Sequence, residues 1–119
     1  NPEAEVRLIF RRTTTTTDAM SARINDQSTA TIPASTGLLA ADRPNASTKR
    51  FYRNGTQVGT DVTRSSTALF NSNILLGNNG GTISAYQFAS FFAGGSLTPA
   101  EHAALYAATL AYMQGVGAA

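Results

Sequence analysis

Apolar residues recur at every second position through the first part of the chain, the period of a half-buried strand. Val6, Leu8 and Phe10 share one face of a strand predicted over 6–11. The threonine run 13–17 is low in complexity but compatible with β structure, either extending that strand or forming an edge. Met20, Ala22 and Ile24 line one side of a second strand over 19–24, and a short third over 29–32 stops at Pro33. The stretch 34–44 mixes small residues with Gly37 and shows no clear period.

Asn54-Gly55 carries the sharpest local signal. A two-residue type I′ turn needs positive φ at both positions, and Asn-Gly supplies it. The turn fixes a register: Arg53 with Thr56, Tyr52 with Gln57, Phe51 with Val58. Phe51 and Val58 then face the core, with Tyr52 and Gln57 on the other face. Beyond it, 69–76 reads as a strand ending in the apolar triplet Ile74-Leu75-Leu76. Asn78-Asn79-Gly80-Gly81 reads as a tight turn or loop, and 83–92 contains the last strand, broken by Gly94-Gly95.

The period then changes. His102, Tyr106, Leu110 and Met113 form one stripe of a helix predicted over 99–114, which packs against the sheet. Thr98 is the N-cap, Pro99 suits the first helical position, and Glu101 completes a capping box. Gly115 and Gly117 offer left-handed stops. Five to seven short strands with turns at this spacing predict an antiparallel sandwich in one domain, 1–119.

These motifs carry a resemblance. The ending, with Ala89-Ser90-Phe91-Phe92, then Leu97 through Glu101, then Leu105-Tyr106, resembles the C-terminal edge of laminin-G-like (concanavalin A-like) jelly rolls. Phe51-Tyr52-Arg53-Asn54-Gly55-Thr56-Gln57-Val58-Gly59 is similar to the aromatic-x-Asn-Gly hairpin of the same family. The run 41–117, including the tail Tyr112-Met113-Gln114-Gly115-Val116-Gly117, resembles jelly-roll modules of tailed-phage and prophage structural proteins. The resemblance implies an all-β, antiparallel jelly-roll sandwich with one C-terminal α-helix. It further implies a non-enzymatic structural or adhesion module of a virion, on a tail, fibre or capsid surface. Its partners would be other virion proteins or copies of itself, with a cell-surface glycan as a further ligand, and its place the virion or the extracellular space. The alternatives are a secreted carbohydrate-binding module and a divergent glycoside hydrolase. Domains of this family are usually longer, so the N-terminal part is expected to be missing, shortened or supplied by another chain. Asn1, not being an initiator Met, fits a processed chain or a piece of a longer one. The first strand, 6–13, is then expected to pair with a strand from a neighbour or from the absent half.

Composition adds mostly exclusions. Only 13% of residues are charged, and the formal net charge is +2. All nine Lys and Arg lie at or before Arg64, after which Glu101 is the single charged residue. Arg11, Arg12, Lys49, Arg50, Arg53 and Arg64 are the cations available to nucleic acid, but interleaved acids and the scarcity of Lys argue for a solvated sheet face, so no nucleic-acid partner is expected. Cysteine is absent, which removes disulfides and thiolate metal sites. No run approaches the roughly 18 apolar residues of a membrane span, and no membrane insertion is expected.

Chemistry is sparse as well. His102 is the chain's one histidine, and no nucleophile accompanies it. Glu3 and Glu5 have the alternate spacing of a glycosidase pair but stand at the terminus, so no catalytic residue is assigned. The loop Gly77-Asn78-Asn79-Gly80-Gly81 lacks the Lys of a phosphate loop and the carboxylates Ca²⁺ prefers, so neither metal nor cofactor is expected. A sugar needs one aromatic ring and a few amides. Tyr52, Gln57, Asn78, Asn79, Tyr86 and Gln87 are the candidates.

Overall fold

The computed structural model describes residues 6–9, 18–24, 26–67, 78–79, 82–83 and 88–118. Three strands, β1 (Val6–Ile9), β2 (Asp18–Ile24) and β3 (Gln27–Ile32), form one antiparallel sheet in that order. Three more, β4 (Leu39–Asn45), β5 (Thr48–Arg53) and β6 (Thr56–Thr63), form a second. Two short strands, β7 (Asn78–Asn79) and β8 (Thr82–Ile83), pair with each other, and helix α1 (Pro99–Gly115) closes the described chain.

The two larger sheets meet across one core. Met20, Ala22 and Ile32 come from the first sheet and Phe51 from the second. Leu8, Ile24, Ala30, Leu39, Ala41, Val58 and Val62 pack around them. The alternation of Met20, Ala22 and Ile24 therefore reads out as predicted. The predicted sandwich is present at this level, as two antiparallel sheets with one C-terminal helix.

The hairpin forms as its residues dictate. Asn54 has φ 50° and Gly55 φ 76°, and the register pairs Arg53 with Thr56, Tyr52 with Gln57 and Phe51 with Val58. Asn54 also locks the preceding loop: its Oδ1 accepts from Leu38 N at 3.0 Å, and its own N–H donates to Leu38 O at 2.8 Å. Arg53 Nε donates to the carbonyls of Ala34 and Thr36, each at 3.1 Å. These bonds draw the 33–38 loop back onto the hairpin.

Two irregularities set the side chains of the second sheet. On β4, Arg43 and Pro44 stand opposite the single residue Lys49 of β5, a β-bulge. Pro44 has no N–H for the ladder, which fits a bulge. On β6, the register slips between Val58 and Val62, and Gly59 takes φ 71° there. The slip keeps Val58 and Val62 on the core side while bringing Asp61 against Arg50.

Helix α1 begins as its residues predict. Thr98 accepts from Glu101 N at 3.3 Å, and the Glu101 carboxylate accepts from Thr98 N at 2.7 Å, a complete capping box with Pro99 in the first turn. His102 is buried, and Tyr106, Leu110 and Met113 are half-buried, so the stripe is the inward face. The helix lies against β6 and over the hairpin turn.

The structure refines three of these readings. The stretch 34–44 holds most of strand β4, whose Leu-Ala-Ala-Asp-Arg-Pro-Asn sequence has no β-branched residue; pairing with β5 makes it a strand, not propensity. Residues 88–92 are not strand but exposed irregular chain. Tyr52 and Gln57 pair across the strands on the face away from the core, as predicted, and α1 covers Tyr52 there. The predicted strand 69–76, the threonine run 13–17 and most of 83–87 lie outside the described residues.

Two glycines with the same backbone separate strain from collision. A side chain at Gly55 meets the backbone, with its Cβ 2.8 Å from Ala103 Cα, whereas Gly59 has nothing within 4 Å. Gly59→Ala is expected to destabilise by about 1 kcal/mol through its positive φ alone. Gly55→Ala is expected to cost at least about 2 kcal/mol, because α1 must also move. Urea unfolding of the two variants side by side checks the difference.

Candidate functional site

The outer face of the second sheet carries the densest polar grouping, part of it beneath the helix. Tyr52 projects from β5 and stacks on His102 of α1, with ring centroids 3.7 Å apart and planes 19° from parallel. Both residues are buried, Tyr52 at 2% and His102 at 6% exposure. Asp42 of β4 lies beside them, also buried. Its Oδ2 accepts from Ser96 Oγ at 3.0 Å and stands 3.8 Å from His102 Nε2. Ser96 belongs to the segment that leads into the helix, so Asp42 holds both the approach to α1 and its first turns.

Ser96, Asp42 and His102 are the residue types of a hydrolytic triad, but not its arrangement. In a triad the histidine stands between nucleophile and acid, and takes the hydroxyl proton. Here the hydroxyl donates to the carboxylate directly. The grouping anchors the helix.

Along the same face, nearer solvent, a second network runs across β5 and β6. Arg50 clasps Asp61 with two hydrogen bonds of 2.9 Å, and Gln57 Nε2 donates to the same carboxylate at 2.9 Å. The bonds from Arg50 and then Gln57 hold the Asp61 carboxyl below its usual range, and the bond to Asp61 raises Arg50.

At the core-facing end of the same sheet stands the chain's single lysine. Lys49 is 1% exposed, and its Nζ has no hydrogen-bond partner. Arg43, opposite it at the bulge, reaches across to the first sheet: its Nε donates to Ile24 O at 3.0 Å, and its Nη1 to Arg64 O at 2.8 Å and Ala46 O at 3.2 Å. Arg64 Nε lies 3.8 Å from Asp26 Oδ2. Burial, then the charge of Arg43, lowers Lys49 to about 8 against the partial support of Asp26.

The structure describes four of the six expected sugar-reading residues. Tyr52 is withdrawn from that role: its ring lies under α1 with a face against His102, and it presents no surface to a sugar. Gln57 is half-buried and committed to Asp61. Asn78 and Asn79 form β7, opposite Ile83 and Thr82. Tyr86 and Gln87 lie outside the described residues, as do Glu3, Glu5, Arg11 and Arg12. Tyr52 and Gln57 are the two candidates shown side by side, as cross-strand partners. The buried Lys49 and the Asp42–Ser96 contact were not foreseen; Lys49 shares the core-facing parity of Phe51, a signal that was present in the hairpin register.

Among the described residues, no group of three or more His, Cys, Asp and Glu is placed to hold a metal ion, and no helix is long and apolar enough to cross a membrane. No family model, no curated protein and no solved structure matches the chain.

Removing the Asp42 carboxylate takes away the acceptor of the Ser96 hydroxyl and the acid that stands 3.8 Å from the buried His102. Asp42→Ala is therefore expected to destabilise by about 2–3 kcal/mol in chemical denaturation, more than Ser96→Ala at about 1 kcal/mol.

Lys49 gives a pH dependence with a definite sign. Its folded pKa, about 8, lies below the ordinary 10.5. Between these values the unfolded chain binds more protons, so stability rises with pH across that window and is level below it with respect to this group. The rise is on the order of 2 kcal/mol. Denaturant unfolding from pH 7 to 11 in low salt checks it, and Lys49→Met is expected to abolish the component due to Lys49.

Proposed function

We propose that this chain is a non-enzymatic β-sandwich module that works by assembly and adhesion, and that the sandwich is a jelly roll of the laminin-G-like kind carried by tailed-phage structural proteins. The reading rests on one observation above others. Phe91 and Phe92 are 48% and 52% exposed, adjacent in an uncharged segment ahead of the helix. Single exposed apolar side chains are ordinary, but two adjacent exposed phenylalanines suit a partner surface. The partners are copies of the chain or other virion proteins, as on a tail, fibre or capsid surface.

The fate of the carboxylates supports the non-enzymatic part. Asp26, Asp42, Asp61 and Glu101 each serve an internal partner: Gln27 N, Ser96, Arg50 and Thr98 respectively. A glycosidase keeps a pair of carboxyl groups facing its substrate. Strand β1 stands at the end of its sheet in the described order and offers a second route to assembly, by pairing along that edge.

Sedimentation velocity over a wide concentration range tests the reading. The chain is expected to associate as concentration rises, and Phe91→Ser with Phe92→Ser to shift it toward monomer without lowering its unfolding midpoint. A wild-type chain that stays monomeric throughout would count against assembly through this segment. Turnover of a polysaccharide would count against the non-enzymatic role.

A further inference from the structure

The end of the sandwich at Lys49 carries more positive charge than the described protein groups neutralise. Lys49, Arg43 and Arg64 act on one another there, and Asp26 is the described carboxylate that faces them. Asp26 is already engaged, accepting from Gln27 N at 2.6 Å and lying 3.8 Å from Arg64 Nε. Lys49 Nζ and Arg43 Nη2 are among the buried donor atoms that have no acceptor in the described structure. An unpaired buried donor is costly, and a charged one more so. The cost falls when an anion supplies both acceptor atoms and countercharge; a water molecule supplies only the first.

The donors are held in place before any ligand arrives. Arg43 is fixed by three backbone carbonyls through Nε and Nη1, which leaves Nη2 as the remaining arm of its fork. The bulge at Arg43 and Pro44 sets that residue opposite Lys49. Arg64, whose side chain is 56% exposed, is the solvent-facing member of the group.

We propose that this end of the sandwich binds a small oxyanion group, carboxylate or sulfate in kind, with Lys49 Nζ and Arg43 Nη2 as the buried donors and Arg64 on the solvent side. A planar guanidinium arm beside an ammonium matches two oxygens of one anionic group. The group can come from a free inorganic anion or from an acidic sugar. The site does not depend on the assembly surface at Phe91 and Phe92 and stands or falls separately from it.

The single lysine makes the test direct. In protein grown with ¹³C-lysine, one Cε resonance reports Lys49. Sodium sulfate and sodium glucuronate are titrated separately at constant ionic strength against sodium chloride. A saturable shift with either is expected, with the Lys49 midpoint moving from about 8 toward 10.5. A response to sulfate marks a site for free oxyanions, and a response to glucuronate alone marks an acidic sugar. Arg64→Gln, at an exposed position, is expected to weaken the midpoint several-fold, and Lys49→Met to lose the rise in Tm that the ligand gives the wild type. The same unsaturated drift with all three salts, an unchanged midpoint in Arg64→Gln, or an undiminished Tm rise in Lys49→Met would each overturn the proposal.

Discussion

Strand β5 is hydrogen-bonded along both edges and buried on both faces, and most of the described structure is arranged to satisfy that one strand. Phe51 fills the core between the sheets, while Tyr52, one residue on, faces the opposite way and is equally buried. A central strand with an aromatic residue on each face needs a layer on each side. The first sheet supplies one layer. The helix supplies the other, and His102 stacked on Tyr52 is the contact that joins it. The capping box fixes where the helix begins, and Asp42 ties its approach through Ser96, so its first turns settle over the hairpin.

Polar groups are placed by departures from regular pairing. Unbroken alternation on β6 would keep Val58, Thr60 and Val62 on one face. The slip at Gly59 keeps both valines inward but leaves Thr60 exposed and sets Asp61 beside Arg50 and Gln57. The bulge at Pro44 does the same for Arg43, which crosses from one sheet to the other and binds carbonyls on both. Bulges thus convert a strand-rich sequence of low charge into two defined networks, one on the outer face and one at an end of the core.

These two networks differ in kind. On the outer face every charge among Arg50, Asp61 and Glu101 has a partner close at hand, in solvent that screens it. At Lys49 an ammonium sits in low dielectric beside like charges, a state the folded chain holds against its own stability. Exposed phenylalanines ahead of the helix are the corresponding tension on the apolar side. Both are places where local stability is given up.

The sequence by itself determined the elements whose signals are local. Asn54-Gly55 set the hairpin and its register because positive φ is a property of those two residues, and Thr98, Pro99 and Glu101 set the helix start because a capping box closes within one turn. The alternation of Met20, Ala22 and Ile24 marked the core face of β2 for the same reason. Only the tertiary structure decided the rest. Strand β4 has no propensity of its own and exists because β5 offers it a ladder. Tyr52, legible as a ring on the non-core face, became a buried ring because a helix some fifty residues later in the sequence covers it, and with that a candidate sugar contact became a packing contact. Parity along β5 placed Lys49 on the core side, but whether it met a partner there depended on Arg43, Asp26 and Arg64, brought together from three separate segments; a charge's surroundings are a sum over space, and alternation along one strand does not contain them.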